Sequence, residues 1–305
     1  MAPVSYVGPD FDPPQPRRPR RGPLTVALAA LVPGALIGWF VYEAVGSPGG
    51  SASAHTSPTS AGAPVSPTGT ASNDDKPPGP SPLKGKVVVI DPGHNVTNFQ
   101  HSAEINRKVD IGTNWKECDT TGTSTNAGYA EARFTMDVSH RLKAILEKQG
   151  VTVKLTHDGD SPSWGPCVDQ RARIGNDAHA DAAISIHADG APVGDRGFHV
   201  ILPGSVHAGG ADTRAIVGPS AILGKGIAGD YRRATGEQFS NYIGDGTGLV
   251  TRKDLGGLNL STVPKVFIEC GNMRDSNDAA LLTNSAWRQK AAQGISEGIV
   301  SFLRG

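Results

Sequence analysis

Three titratable side chains stand at the ends of apolar runs. His94 follows Val87-Val88-Val89-Ile90-Asp91-Pro92-Gly93, His187 closes Ala182-Ala183-Ile184-Ser185-Ile186, and Glu269 closes Val266-Phe267-Ile268. If these runs are strands of one sheet, their carboxyl ends border the crevice where α/β folds bind ligands, and the three groups can converge there. Glu131 opens a segment with Phe134, Val138, Leu142, Ile145 and Leu146 at helical spacing, which places its carboxylate on the apolar face. Two histidines and one carboxylate, with a fourth position left to water, form the ligand pattern of a catalytic zinc site. Zinc brings the pKa of bound water to about 7. A second, unligated carboxylate can then accept the proton, and Glu269 fits that part.

Each residue also has a plainer reading. A histidine at a strand end more often caps or packs than ligates. Glu131 equally suits a surface glutamate favoured by a helix N-terminus. The linear motif HExxH is absent, so any metal site must be assembled by the fold. His199, within Phe198-His199-Val200-Ile201, reads as structural or substrate-facing. The other histidines fall in loops, on polar faces or in the N-terminal segment.

The elements that would position these groups alternate. Strands are expected at 86–90, 151–155, 182–187, 197–202 and 265–269, with helices at 131–149, 168–178, 220–236 and 285–302. Residues 95–130 read as a long polar loop with room for a hairpin. The pattern predicts an α/β fold: one three-layer domain over 83–305, with a mixed, largely parallel sheet covered by helices on both faces.

The preceding residues divide in three. Residues 1–22 are polar and basic, with Arg17, Arg18, Arg20 and Arg21 clustered. Residues 23–42 form an apolar run of roughly twenty residues, enough to cross a bilayer core. The cluster before it places the N-terminus in the cytoplasm and the rest outside. An uncleaved anchor and a cleaved signal peptide both remain open, and both export the domain. Residues 43–82 are Pro, Ser, Gly and Thr with few large apolar groups, a disordered tether. In an exported domain, three cysteines suggest one disulfide and one buried thiol. Cys118 and Cys167 lie in loop-like segments and are paired on that ground; Cys270 lies in an apolar run. Lys+Arg 29 against Asp+Glu 29 gives zero net charge, which argues against a general nucleic-acid binder.

Four segments in order resemble the amidase-3 family of zinc-dependent N-acetylmuramoyl-L-alanine amidases, in its mycobacterial form. They are Val87–His94, the helix opened by Glu131, Arg171–Asp189, and Asp254–Leu258 with Val263–Asn272; Asp278–Leu282 continues the last. The resemblance covers roughly 84–304 and implies a zinc amidase/exopeptidase-like fold. It implies zinc on His94, Glu131 and His187, and Glu269 as general base. The expected substrate is peptidoglycan or its muropeptides, cut between N-acetylmuramic acid and L-alanine. Asn95-Val96-Thr97-Asn98 departs from the glycines that follow the first histidine in many members. The 95–130 loop resembles one whose hairpin can lie near the active site. Arg173 and Arg252 are candidate contacts for peptide carboxylates. A monomer attached to the cytoplasmic membrane through 23–42 is expected. Two rivals remain: a wall-binding regulatory protein without activity, and a zinc peptidase of the stem peptide.

Overall fold

The computed structural model describes residues 83–159 and 161–305. The basic tail, the apolar run and the tether expected before residue 83 lie outside the described residues. Among the described residues no helix is long and apolar enough to cross a membrane.

The described residues open with β1 (Val87–Pro92) and pass through a short helix α1 (Ser102–Ile105). A hairpin of β2 (Lys108–Asp110) and β3 (Trp115–Glu117) follows, then α2 (Glu131–Lys148), β4 (Thr152–Leu155), α3 (Val168–Asp177) and β5 (Ala182–Asp189). β6 (His199–Pro203) leads to a small hairpin of β7 (His207–Ala208) and β8 (Ala211–Asp212), then α4 (Val217–Thr235), β9 (Leu249–Arg252) and α5 (Gly256–Asn259). β10 (Lys265–Asn272), α6 (Ser276–Thr283) and α7 (Ser285–Arg304) complete it.

Six strands form one sheet in the order β4-β1-β5-β10-β6-β9. All neighbours are parallel except β10 and β6. Successive side chains of a strand face opposite sides, so each central strand serves two layers. Val88, Ile90, Ile184, Ile186, Val266 and Ile268 turn to one side and pack with Phe134, Val138 and Leu142 of α2, Leu223 and Ile227 of α4, and Ile295 and Ile299 of α7. Val89 and Ala183 turn to the other side, where Ala180 and Val263 join them against α3. This second layer is thin, and beyond it the same face carries Asp91, Ser185, His187, Phe267 and Glu269. The three-layer α/β expectation is met.

Helix ends follow local chemistry. Asp275 caps α6 by accepting from the backbone N–H of Asn277 and Asp278, and Asn284 caps α7 by accepting from Trp287 N–H. Of the α2 stripe that the sequence placed at Phe134, Val138, Leu142, Ile145 and Leu146, all are fully buried except Ile145, which is half-buried. Truncating one such Leu to Ala costs ~2–5 kcal/mol.

Candidate metal and catalytic centre

β1 and β5 run side by side and deliver His94 and His187 to the same sheet end. Their rings meet edge to face, with centroids 4.9 Å apart. Glu131, the first residue of α2, reaches between them: its Oε2 lies 3.1 Å from His94 Nε2 and its Oε1 3.0 Å from His187 Nδ1. One ligand atom from each of the three residues falls within 4.8 Å of the others.

The donors are themselves held. Glu131 accepts from the backbone N–H of Thr123 (Oε2, 2.9 Å) and of Ala188 (Oε1, 3.1 Å). His94 Nδ1 lies 3.2 Å from Thr120 O and 3.6 Å from Asp119, which leaves Nε2 facing Glu131. Phe267 stacks on the His187 ring, centroids 5.3 Å apart and planes within 11°. A histidine fixed through one nitrogen and a carboxylate fixed by backbone donors are the supports a metal ligand needs.

The electrostatics fit a cation. Burial works against a charge on His94, yet Glu131 and Asp119 outweigh it and raise the imidazole pKa well above its usual value. Burial also works against the Glu131 anion, yet His94 and His187 hold its pKa well below the carboxylate range. The cluster therefore favours positive charge at its centre, the place a divalent ion takes. The donor set, two imidazoles and a carboxylate, suits zinc.

Beneath the cluster lies an ionic network that sequence reasoning missed. Arg171 of α3 is buried and donates to Asp91 Oδ1 (2.7 Å), Asp119 Oδ2 (2.8 Å), Pro92 O (2.6 Å) and His94 O (3.0 Å). Asp91 also accepts from Thr156, Ser185 and Lys265, all buried. Burial would raise Asp91, but Lys265 and Arg171 hold it far below its ordinary range. The signal lay in the sequence as charges in otherwise apolar runs, Asp91 after Ile90 and Lys265 before Val266. Their partners are remote along the chain.

The chain passes over the donors where only glycine fits. A Cβ on Gly93 would stand 2.4 Å from the His187 ring, and one on Gly122, at φ +72°, 2.7 Å from His94 and 2.8 Å from Glu131 Oε2.

Glu269 is placed beside this cluster by register: it pairs with His187 across β5 and with His199 across β6. It is 8% exposed, and its Oε2 has no hydrogen-bond partner. Burial, then the negative charges of Asp189 and Glu131, push its pKa well above the usual value. A buried carboxylate with one oxygen free of hydrogen bonds and a perturbed pKa is a candidate for general acid–base work.

Of the two arginines proposed for substrate, Arg252 ends β9, pairs with Asp254, and its charge reaches both His199 and Glu269. Arg173 is 63% exposed and pairs with Asp169 one turn earlier on α3. Cys118 and Cys167 are joined, S–S 2.08 Å, and Cys270 is buried as a free thiol. The bond ties the residue before Asp119 to the N-cap of α3, the helix that carries Arg171.

A parallel-centred α/β sheet whose carboxyl edge gathers two histidines and a carboxylate, with a second buried carboxylate one strand away, has the construction of a metal-assisted hydrolase. The N-acetylmuramoyl-L-alanine amidase family model matches residues 88–301, and the chain belongs to that family. It is 41% identical to the N-acetylmuramoyl-L-alanine amidase Rv3717 of Mycobacterium tuberculosis over 226 residues, 73% of this chain and 89% of that protein. Its fold is similar to the crystal structure of the amidase Ami1 from Mycobacterium smegmatis, with 39% identity, a TM-score of 0.67, and 72% of this chain and 98% of that one covered. Ami1 from Mycobacterium abscessus matches likewise, at 40% identity and a TM-score of 0.66, with 72% and 100% covered.

Proposed function

We propose that this chain hydrolyses the amide bond between N-acetylmuramic acid and the L-alanine of the peptidoglycan stem, with zinc held by His94, Glu131 and His187. The observation that carries the reading is the register that sets Glu269 beside His187. Family membership supplies the substrate class. When bound, zinc supplies Lewis-acid polarisation and a more acidic water. The rest falls to the chain. Thr123 and Ala188 N–H hold both oxygens of Glu131, and Thr120 O orients His94. Glu269 takes the proton of the attacking water and returns it to the departing amine; its raised affinity for a proton suits the second half of that task. Arg252 is the better placed of the two arginines to receive a peptide carboxylate.

The site draws all four residues from one chain, so a monomer suffices for activity. We infer further that residues 23–42 anchor the chain in the cytoplasmic membrane, with 43–82 as a tether and the catalytic domain outside. Protease added to intact cells should then remove the domain; complete protection would contradict that topology. The activity is tested by incubating the full, zinc-loaded chain with a muramyl peptide and sequencing the released fragment. An N-terminal L-alanine is the expected product, and a cut within the peptide would make the enzyme a peptidase.

A further inference from the structure

His187, Glu269 and His199 form one row across β5, β10 and β6, each the register partner of the next. Partners on adjacent strands share a face. The metal cluster lies at the His187 end, and His199 lies on the opposite side of Glu269. His199 is 3% exposed, yet its Nδ1 has no hydrogen-bond partner, and neither has Glu269 Oε2. A buried polar atom without a partner is costly. Two of them on neighbouring strands, at the carboxyl edge of the sheet, suit a polar group brought by a ligand.

The His199 ring is set in place. Tyr242 stands edge-on to it, centroids 6.0 Å apart and planes at 87°. Tyr242 is in turn fixed by donating to Asp189 Oδ2 at 2.6 Å. Burial, with Arg252 adding to it, pushes the imidazole pKa down to about 4. It is therefore neutral near pH 7, with one ring nitrogen a donor and the other an acceptor.

The row has a direction, given the amidase reading on which this inference rests. Glu269 must hand a proton to the scissile nitrogen, so that nitrogen lies over the middle of the row. The carbonyl turns to the His187 end. The group attached to the nitrogen, the first residue of the stem peptide, then continues toward His199. We propose that His199 is a substrate-binding residue on the leaving-group side, donating a hydrogen bond from Nδ1 to the carbonyl oxygen of the L-alanine. It fixes the departing amine over Glu269 and makes no contact with the muramic acid half.

The test uses the full, zinc-loaded chain with His199→Phe, which keeps a ring against Tyr242, and His199→Asn, whose amide can stand where Nδ1 stands. Two quantities are read: affinity for a dipeptide with N-terminal L-alanine, and turnover of the corresponding muramyl dipeptide. His199→Phe should weaken dipeptide binding about tenfold or more, with zinc content unchanged, and His199→Asn should recover most of the loss. Should His199→Phe fail to fold, His199→Ala replaces it. Unaltered dipeptide affinity without the imidazole overturns the assignment, as does equal loss in the Asn variant. A wild-type chain that holds zinc yet releases no L-alanine-terminated peptide overturns the amidase reading itself. Normal release beside an unaffected His199→Phe variant overturns only the role of His199.

Discussion

Glu269 and His187 are register partners in the parallel pairing of β10 with β5, so the proposed base and the proposed ligand are held one strand spacing apart, about 4.8 Å between backbones. That spacing is a property of the sheet rather than of a loop. It separates the proposed metal ligand from the proposed proton carrier while keeping both on one face.

Asp119 joins the metal cluster to the ionic network, because it faces His94 Nδ1 and accepts from Arg171. Burial opposes its charge, but Arg171, His94 and Asn98 hold its pKa at about 2. Asp119→Asn should lower zinc affinity about 10–100-fold by loosening His94, as read by competition with a chelator. Arg171→Met should be worse for folding, by about 3–5 kcal/mol, since it leaves two buried carboxylates short of a partner.

Gly122 passes over His94 and Glu131 at a positive φ. Gly122→Ala should cut zinc stoichiometry and turnover together, because the new methyl can be housed only by moving a donor. Full zinc occupancy and normal turnover in that variant would show that the loop has room to retreat.

His199 makes stability depend on pH with a definite sign. Its folded pKa, about 4, lies below the ordinary value of 6.5. The stabilisation is therefore complete above pH 6.5 and is lost as pH falls through 6.5 toward 4, by roughly 3 kcal/mol in all. His199→Asn should flatten that part of the profile, which denaturant unfolding at pH 7, 5.5 and 4 can measure. Parallel slopes for wild type and variant would contradict it.

The loop between β1 and α2 serves two purposes. Residues 119–123 support His94 and Glu131, whereas the β2–β3 hairpin, paired through Lys108–Glu117 and Asp110–Trp115, docks its buried Ile111 on the segment after β9, where Asn259 Nδ2 donates to Ile111 O and to Thr113 Oγ1. A chain shortened only within 108–117 should keep zinc and change turnover on polymeric wall more than on soluble muropeptides. Equal rates on both would remove the hairpin from substrate access.

The sequence made the strands and helices legible where burial imposed a period. Val87–Ile90, Ala182–Ile186 and Val266–Ile268 are continuous apolar runs because both faces of those strands are covered, and α2 and α7 carry clear helical stripes. β9 escaped because it is an edge strand with little buried surface, and α6 because it is short and its apolar residues follow no stripe. Of the site, His94, Glu131, His187 and Glu269 each had a plainer reading by position alone and were joined by the family resemblance, and the structure brings all four to one end of the sheet. The Arg171–Asp91–Asp119–Lys265 network did not, since Asp91 and Lys265 showed only as single charges beside apolar runs and the partners are remote along the chain. The export segments expected before residue 83 rest on composition and charge alone.

The most direct test of the division of labour is a paired reading of zinc content and muramyl-peptide cleavage in wild type, His187→Ala and Glu269→Gln. Glu269→Gln should keep a full complement of zinc and lose cleavage, while His187→Ala should lose both. Substantial cleavage by zinc-loaded Glu269→Gln, or full zinc in His187→Ala, would contradict it.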